Sequence, residues 1–282
     1  MNGFSEEWLR LREAADAAAR NPEIAAGLAA HLADRTKATF ADLGCGAGAN
    51  LRHTALLLPP GIRQRWRLLD HDPRLLSSAR GQLAAWADKS SEAPCGALQL
   101  ERNGREIEVS FCEAVLNGNI ERFLHPDEIV TASAFFDLVS GDWIALFAEA
   151  AAALGAAIYA PLIYNGIQIW SPPHPADWPM LAAFNVHQRR DKGFGKAAGP
   201  SAAAVLHEVV CEGGYTVTRG DSAWRLGPQD ANLITMLAEN TAAAVAELGL
   251  FDEQAIAKWK ESRRTAASCL IGHIDILALP AA

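Results

Sequence analysis

The most informative segment of the chain reads Phe40-Ala41-Asp42-Leu43-Gly44-Cys45-Gly46-Ala47-Gly48-Ala49-Asn50. A short apolar run at residues 39–43 ends in a glycine-rich turn, and residues 49–58 favour a helix that stops at a Pro-Pro-Gly sequence. Glycine permits a tight turn and lacks the Cβ that would keep a ligand away from the backbone. The helix that follows offers free backbone N–H groups in its first turn. The segment therefore predicts a strand–turn–helix unit whose turn binds a cofactor.

The sequence on either side predicts an α/β fold. A second strand ends at Asp70, and Asp72-Pro73 has the residue types of a helix N-cap and first helical position. Further strands are predicted at residues 107–111, 129–133, 156–163, 215–219 and 271–279, with helices between most of them. Residues 90–104 read as a loop or as a strand broken by a hairpin. Strands that alternate with helices indicate a mostly parallel sheet.

We therefore expect a Rossmann-like, mostly parallel seven-stranded sheet with helices on both faces. Residues 1–36 are predicted to form an N-terminal helical extension, and residues 37–282 the Rossmann-like domain. Residues 164–200 are rich in Pro, Gly, Trp and His and are predicted to be an irregular insertion.

Composition limits the classes of partner. The 282 residues carry a formal net charge of −8, and the nearest basic cluster is Arg189, Arg190 and Lys192 beside Asp191, which weighs against a nucleic-acid substrate. The five cysteines show no metal-ligand spacing, so reduced thiols and no metal are expected. Neither a secretory signal nor an apolar run of membrane-spanning length is evident. A cytoplasmic protein without a membrane partner is the expectation.

The residues of the turn favour one type of cofactor over another. Dinucleotide-binding turns have the spacing G-x-G-x-x-G, whereas here the third glycine comes one residue early, at Gly48. Asp42 precedes the first glycine by two positions, where a carboxylate suits an ammonium group better than a pyrophosphate. Asp70, at the end of the second strand, can accept hydrogen bonds from ribose hydroxyls, although enzymes that use NAD share that feature.

The pattern (D/E)-x-G-x-G-x-G resembles the first motif of class I S-adenosylmethionine-dependent methyltransferases, and Asp70-His71-Asp72-Pro73 resembles the segment of that family at the second strand. The resemblance covers residues 38–163 and, more loosely, the last two strands. It implies S-adenosylmethionine as cofactor, with Asp42 near its amino-acid part, Asp70 and His71 at the ribose, and Cys112 or Glu113 near the adenine. The cofactor-binding residues expected from it are Asp42, Gly44, Cys45, Gly46, Gly48, Asp70, His71, Cys112, Glu113 and Ser133.

The methyl acceptor is less clearly indicated. The fourth strand ends at Ser133 without the Asn/Asp-Pro-Pro-aromatic motif by which family members methylate base amino groups, which disfavours such an acceptor. The insertion at 164–200 reads either as a binding loop or as a solvated surface loop with aromatic anchors. Its candidate substrate-binding residues are Tyr164, Asn165, Asn185, His187, Gln188 and Lys192. His187 is a candidate general base, with a purely structural histidine as the alternative.

The N-terminal helix is open to two interpretations. The resemblance implies that the helix containing Arg10 and Arg12 closes over the cofactor or substrate; the alternative is a helix that packs on the sheet with both arginines in solvent. Asp137 and Asp142 are interpreted as carboxylates at helix starts.

The function expected is an SN2 methyl transfer to an O, N or S atom of a small polar molecule. The alternatives are an NAD-dependent oxidoreductase, a non-catalytic S-adenosylmethionine-binding protein, and transfer of another group from that cofactor. A homodimer is left open.

Overall fold

A computed structural model describes residues 5–281; the first four residues of the predicted extension, and residue 282, lie outside this range. The helices are α1 (Glu6–Ala19), α2 (Pro22–His31), α3 (Ala49–Leu57), α4 (Pro73–Trp86), α5 (Gly141–Ala153), α6 (Asp177–Gln188), α7 (Ala202–Glu212), α8 (Ala231–Ala246) and α9 (Glu253–Arg264). The strands are β1 (Lys37–Leu43), β2 (Arg63–Asp70), β3 (Lys89–Glu92), β4 (Leu98–Arg102), β5 (Arg105–Glu113), β6 (Glu128–Thr131), β7 (Ala157–Ser171), β8 (Tyr215–Asp221), β9 (Trp224–Leu226) and β10 (Ser268–Pro280).

The strands form one sheet in the order β3-β4-β5-β2-β1-β6-β7-β10-β8, and β9 pairs with β10. The five strands from β5 to β7 run parallel, whereas β10 is antiparallel to β7 and β8. The predicted α/β, Rossmann-like, mostly parallel sheet is thus confirmed. The predicted count of seven strands is too low, because β3, β4 and β9 add to it. The exposed residues of β3 and the three-residue β9 carry too little apolar alternation to be recognised in the sequence.

Helices pack on both faces of the sheet, as expected. One hydrophobic cluster joins the strands to α2, α3 and α4 and contains Phe40 stacked on Trp66 at a centroid distance of 4.1 Å. A second cluster joins the strands to α5 and α7 around Phe147. A third packs α6, α8 and α9 on the outer half of β7 and on β10, with Trp170 against Trp259. None of the helices between residues 5 and 281 has both the length and the apolar character of a membrane span.

The expectation of an irregular stretch at 164–200 is wrong in its first two thirds. Strand β7 continues to Ser171 because it pairs with β10, and its outer half alternates between buried residues such as Trp170 and exposed ones such as Ile169. Helix α6 follows, so within residues 164–200 only the segments 172–176 and 189–198 lack a helix or strand. The strand is not evident from the sequence because the polar Asn165-Gly166 pair favours a turn. The separation of residues 37–282 as a domain stays a prediction.

Candidate functional site

The turn between β1 and α3 requires glycine at three positions. Gly44, Gly46 and Gly48 have φ angles of 65°, 52° and 76°, in the left-handed region that disfavours other residues. The N–H of Gly48 donates to the carbonyl of Cys45 (2.9 Å), and the N–H of Cys45 donates to the carbonyl of Leu69 at the end of β2 (3.1 Å). The turn is therefore fixed to the carboxyl ends of two neighbouring parallel strands, where ligands bind in open α/β sheets.

The side chains of Phe135 and Leu9 pack against the glycine turn. A Cβ on Gly44 would lie 2.6 Å from Cδ2 of Phe135, and a Cβ on Gly46 would lie 3.3 Å from Cδ1 of Leu9. Helix α1, which contains Leu9, is held there by Glu13, whose carboxylate accepts two hydrogen bonds of 2.8 Å from Arg52 of α3. Helix α1 therefore lies over the glycine turn, and its closure over a cofactor or substrate stays a prediction.

The two arginines of α1 differ: Arg10 is exposed, as the second interpretation expects, whereas Arg12 is half-buried. Arg12 is not in solvent: it donates two hydrogen bonds to Asp16, at 2.9 and 3.1 Å, and its guanidinium lies 4.9 Å from the centre of a ring of Trp224. The indole N–H of Trp224 also donates to Asp16 (3.0 Å). Helix α1 is thereby fastened to the outer strands as well as to α3.

Asp70 lies beside the turn. Its Oδ2 accepts a hydrogen bond from the N–H of Gly46 (2.9 Å), and its Oδ1 accepts one from the N–H of Asp72 (3.0 Å). Each carboxylate oxygen has a second lone pair, so Asp70 can accept further hydrogen bonds while its position is fixed. The neighbouring His71 is mostly exposed, with Nδ1 3.3 Å from Oδ1 of Asp70.

Asp42 is completely buried beneath the turn. Its Oδ1 accepts a hydrogen bond from Nδ2 of Asn50 (2.8 Å), and within residues 5–281 its Oδ2 has no hydrogen-bond partner. Asn50 also donates to Oγ1 of Thr131 (3.0 Å) and accepts from Nη2 of Arg20 (2.9 Å). Burial raises the pKa of Asp42 to about 7, against the opposing effects of the Asn50 hydrogen bond and the Arg20 charge. No pattern in the sequence indicates that Asn50 and Arg20 meet at this carboxyl.

The remaining predicted cofactor residues lie at the same edge of the sheet. Cys112 and Glu113 pair with Leu69 and Asp70 at the end of β5, and Ser133 follows β6, which pairs with β1 at Asp42. Cys45 is buried in the turn, and burial raises the pKa of its thiol. The structure therefore brings all ten residues together at four neighbouring strand ends. Their contact with a cofactor stays a prediction.

Two of the predicted substrate residues form a partly buried pair. The hydroxyl of Tyr164 donates to Oδ1 of Asn185 (2.9 Å), whose Nδ2 donates to the carbonyl of Gly166 (2.9 Å). Asn165 is separate from this pair, because its side-chain oxygen accepts from the N–H of Ile167 (3.2 Å) in its own strand.

The other three lie towards the outer end of α6. Nε2 of His187 is 3.0 Å from Oε2 of Glu247, and Nζ of Lys192 donates to Oε1 of Gln188 (3.4 Å). His187 follows Asn185 by two residues, which is about 200° around a helix, so the two side chains project from nearly opposite faces. The role of His187 as a base stays a prediction that this arrangement does not favour.

Asp137 is a buried carboxyl near the glycine turn, and the sequence did not indicate its burial. Asp142 is exposed in the first turn of α5, as expected for a carboxylate at a helix start, whereas Asp137 is buried in a short 3₁₀ turn after β6. Burial raises the pKa of Asp137 to about 6, and the charges of Arg12 and Lys192 and the backbone N–H of Tyr164 oppose that rise. The pair Phe135-Phe136 just before it was the only signal of burial in the sequence.

No protein-family model and no curated protein matches the chain. Among solved structures it is similar to a cyclopropane-fatty-acyl-phospholipid synthase-like protein from Lactobacillus casei, with a TM-score of 0.55 and 14% sequence identity, covering 98% of this chain and 95% of that one. It is also similar to a candidate methyltransferase from Bacillus halodurans, with a TM-score of 0.50 and 13% identity, covering 91% of this chain and 99% of that one. The likeness shows that the chain shares the Rossmann-like fold of these proteins.

Proposed function

We propose that the chain is a class I S-adenosylmethionine-dependent methyltransferase that methylates a small polar molecule at an O, N or S atom. The observation that carries the proposal is the placement of a left-handed glycine turn directly between two buried carboxyl groups, Asp42 and Asp70, at neighbouring strand ends. The resemblance of the turn to the first motif of that family and the shared fold support it. A small-molecule acceptor and a cytoplasmic location belong to the same proposal.

The residues at the turn have the chemistry that this cofactor needs. The methionine part of S-adenosylmethionine carries an ammonium group, and its ribose carries two hydroxyls, so the site must supply hydrogen-bond acceptors. Oδ2 of Asp42 is a buried acceptor without a partner in the described part of the chain, and an ammonium group would satisfy it. Asp70 has two spare lone pairs at the ribose position. Cys112 and Glu113 would lie near the adenine.

When bound, the cofactor supplies an electrophilic methyl group. The residues of the chain bind it, orient it and exclude water. Leu9 and Phe135 provide an apolar cover on the turn, which lowers access of solvent to the reacting groups. Much of the rate of such a transfer comes from positioning the acceptor in line with the methyl group.

Three other functions remain as alternatives, of which transfer of another group from the same cofactor would be recognised by the mass of the product. An NAD-dependent oxidoreductase is disfavoured by the early third glycine and by Asp42, which would face a pyrophosphate. A non-catalytic protein that binds S-adenosylmethionine has the same turn and differs only in turnover.

Calorimetric titration with S-adenosylmethionine, S-adenosylhomocysteine and NAD tests the proposal. We expect about micromolar binding of the first two and none of NAD. Asp70→Asn should weaken the binding of S-adenosylhomocysteine by about tenfold or more, because a ribose hydroxyl loses a charged acceptor. Asp142→Asn, which changes an exposed carboxylate outside the site, is the matched control. Binding of NAD alone would contradict the proposal, and tight binding without turnover of any acceptor would favour the non-catalytic alternative.

A further inference from the structure

Two buried polar atoms near Tyr164 lack hydrogen-bond partners within residues 5–281. They are Oδ1 of Asp137 and Nδ1 of His273, on residues that are 7% and 5% exposed. Asp137 follows β6, and its carboxyl is near the backbone N–H of Tyr164, whereas His273 pairs with Tyr164 across β7 and β10, with the two rings 6.2 Å apart. Buried polar atoms normally have partners, so these two indicate a place that a ligand or ordered water completes.

The two orphaned atoms differ in charge. Burial, together with the nearby Arg12 charge, lowers the pKa of His273 to about 3, so its imidazole is neutral at neutral pH. Asp137, with its pKa of about 6, is mainly a carboxylate at neutral pH. Arg12 is already bound to Asp16 by two hydrogen bonds. Asp137 is therefore the negative group that is free to receive a ligand.

Lys192 supplies a positive group on the opposite segment. The segment 189–198 is attached to the residues that follow Asp137, since the N–H of Ala198 donates to the carbonyl of Val139 (2.7 Å) and Ser140 bridges to Ala197. Lys192 is half-buried, and its one hydrogen bond in the described range is the long 3.4 Å contact with Gln188.

The charges of Asp137 and Lys192 influence each other without contact. Each shifts the pKa of the other towards its charged form, yet the two form no ion pair within 4.0 Å in the described part of the chain. The segment that contains Lys192 packs on the residues around Asp137, since the ring of Phe194 lies 5.7 Å from that of Phe135, which itself packs on Gly44 of the glycine turn. Opposite charges on two segments that pack together in this way can be bridged by a molecule that carries both signs of polarity.

Building on the proposed function, we propose that the methyl acceptor is a small amino acid or hydroxy acid, whose amine or hydroxyl binds at Oδ1 of Asp137 and whose carboxylate binds at Nζ of Lys192. In the reaction, the lone pair of the amine or hydroxyl forms a bond to the methyl carbon while the bond from that carbon to sulfur breaks, and the electron pair stays on sulfur. The proton that the acceptor loses passes to the carboxylate of Asp137. The charged and titratable groups that face Asp137 are Arg12 of α1, Lys192 and Tyr164.

Matched small probes test the acceptor class by binding rather than by turnover. The protein saturated with S-adenosylhomocysteine is titrated calorimetrically with 4-aminobenzoate, aniline and benzoate, and then with 4-aminobutyrate, butylamine and butyrate. The probe with both groups should bind at least about tenfold more tightly than either single-group analogue in at least one set. Such a preference requires both charged residues, which the variants test separately.

Two substitutions separate the two contacts. Lys192→Gln should weaken binding of the two-group probe about tenfold and leave the amine unaffected, whereas Asp137→Asn should weaken the amine and the two-group probe together. Lys196→Gln, which changes an exposed lysine of the same segment, and Asp142→Asn are the controls and should leave all affinities unchanged. Retained affinity for S-adenosylhomocysteine shows that each variant is folded.

The outcomes distinguish this inference from the function on which it rests. If S-adenosylhomocysteine binds but the two-group probes bind no better than their single-group analogues, or do not bind, the acceptor class is overturned and the cofactor assignment stands. If Lys192→Gln and Lys196→Gln behave alike, the role of Lys192 is overturned. If the wild-type protein does not bind S-adenosylhomocysteine, the proposed function fails and the acceptor class fails with it.

Discussion

Replacement of Asp42 by asparagine should stabilise the fold increasingly as the pH rises from 5 to 8. The carboxyl is completely buried, and burial raises its pKa from 3.8 in the unfolded chain to about 7 in the folded protein. Between these two values the folded state holds a proton that the unfolded state has lost, so the wild-type protein loses stability as the pH rises through this range. Asparagine does not titrate, and the variant is free of that loss.

The magnitude follows from the shift. One pKa unit corresponds to about 1.4 kcal/mol, so burial of Asp42 costs the wild-type protein about 1.5 kcal/mol at pH 5 and about 4.5 kcal/mol at pH 8. The free energy of unfolding of the variant, relative to the wild type, should therefore increase by about 3 kcal/mol between these pH values. Any pH-independent change in packing or hydrogen bonding cancels in this difference.

Urea unfolding of both proteins at pH 5, 6, 7 and 8, followed by tryptophan fluorescence, measures this difference in the free energy of unfolding. Glu13→Gln is the matched control, because the hydrogen bond and charge of Arg52 lower the pKa of Glu13 despite its burial. The stability that Glu13 contributes is present above its unfolded pKa of 4.5 and is lost as the pH falls below that value, so this control should be flat from pH 5 to 8. A difference for Asp42→Asn that is equally flat would refute the reasoning and show that the Arg20–Asn50 network fully compensates the buried charge.

The other two stability predictions concern the cover over the turn and use equilibrium unfolding at pH 7. Gly44→Ala should destabilise the fold by about 2 kcal/mol more than Gly96→Ala. Both glycines have left-handed φ angles, but only at Gly44 would the new Cβ meet a side chain, that of Phe135. Equal losses of stability would show that Phe135 moves freely. Glu13→Gln should lower the free energy of unfolding by about 2 kcal/mol, since it removes the carboxylate that pairs with Arg52, whose side chain is 7% exposed. An unchanged free energy of unfolding would show that the hydrogen bonds of Arg52 to Gln82 and to the carbonyl of Ala47 are sufficient.

The edge of the sheet that contains the glycine turn was predictable because its signals are local. The glycine turn, the acidic residue before it and Asp70 at the end of the next strand each lie within one strand–turn–helix unit. The sheet then brings these units together without further information, because the carboxyl ends of parallel strands meet at one edge.

The features that the sequence concealed depend on distant partners. Arg20 lies 30 residues from Asn50, and no periodicity connects them. The outer half of β7 exists because Ile169 pairs with Leu270 of β10, and such tertiary pairing overrides the local preference of Asn165-Gly166 for a turn.

Asp137 and Asp142 show a different limit. Both are aspartates close to a helix start after the fourth predicted strand, and their spacing from that strand carries no information about burial. Packing of Phe135 and Phe136 into the aromatic cluster around Trp143 buries Asp137 with them, whereas Asp142 lies on the solvent side of its helix. The difference in burial between the two aspartates arises only from tertiary packing.

The contacts of the first two helices have a consequence for synthesis on the ribosome. The N–H of Asn21 donates to Oδ2 of Asp275, which follows it by 254 residues, and Asp16 binds Trp224, which follows it by 208 residues. At ordinary translation rates these partners appear on the order of tens of seconds after the helices themselves. During that interval the glycine turn and its strands can already assemble, while helix α1 has nothing to fasten its outer side. The nascent protein would therefore complete its glycine turn early and cover it late.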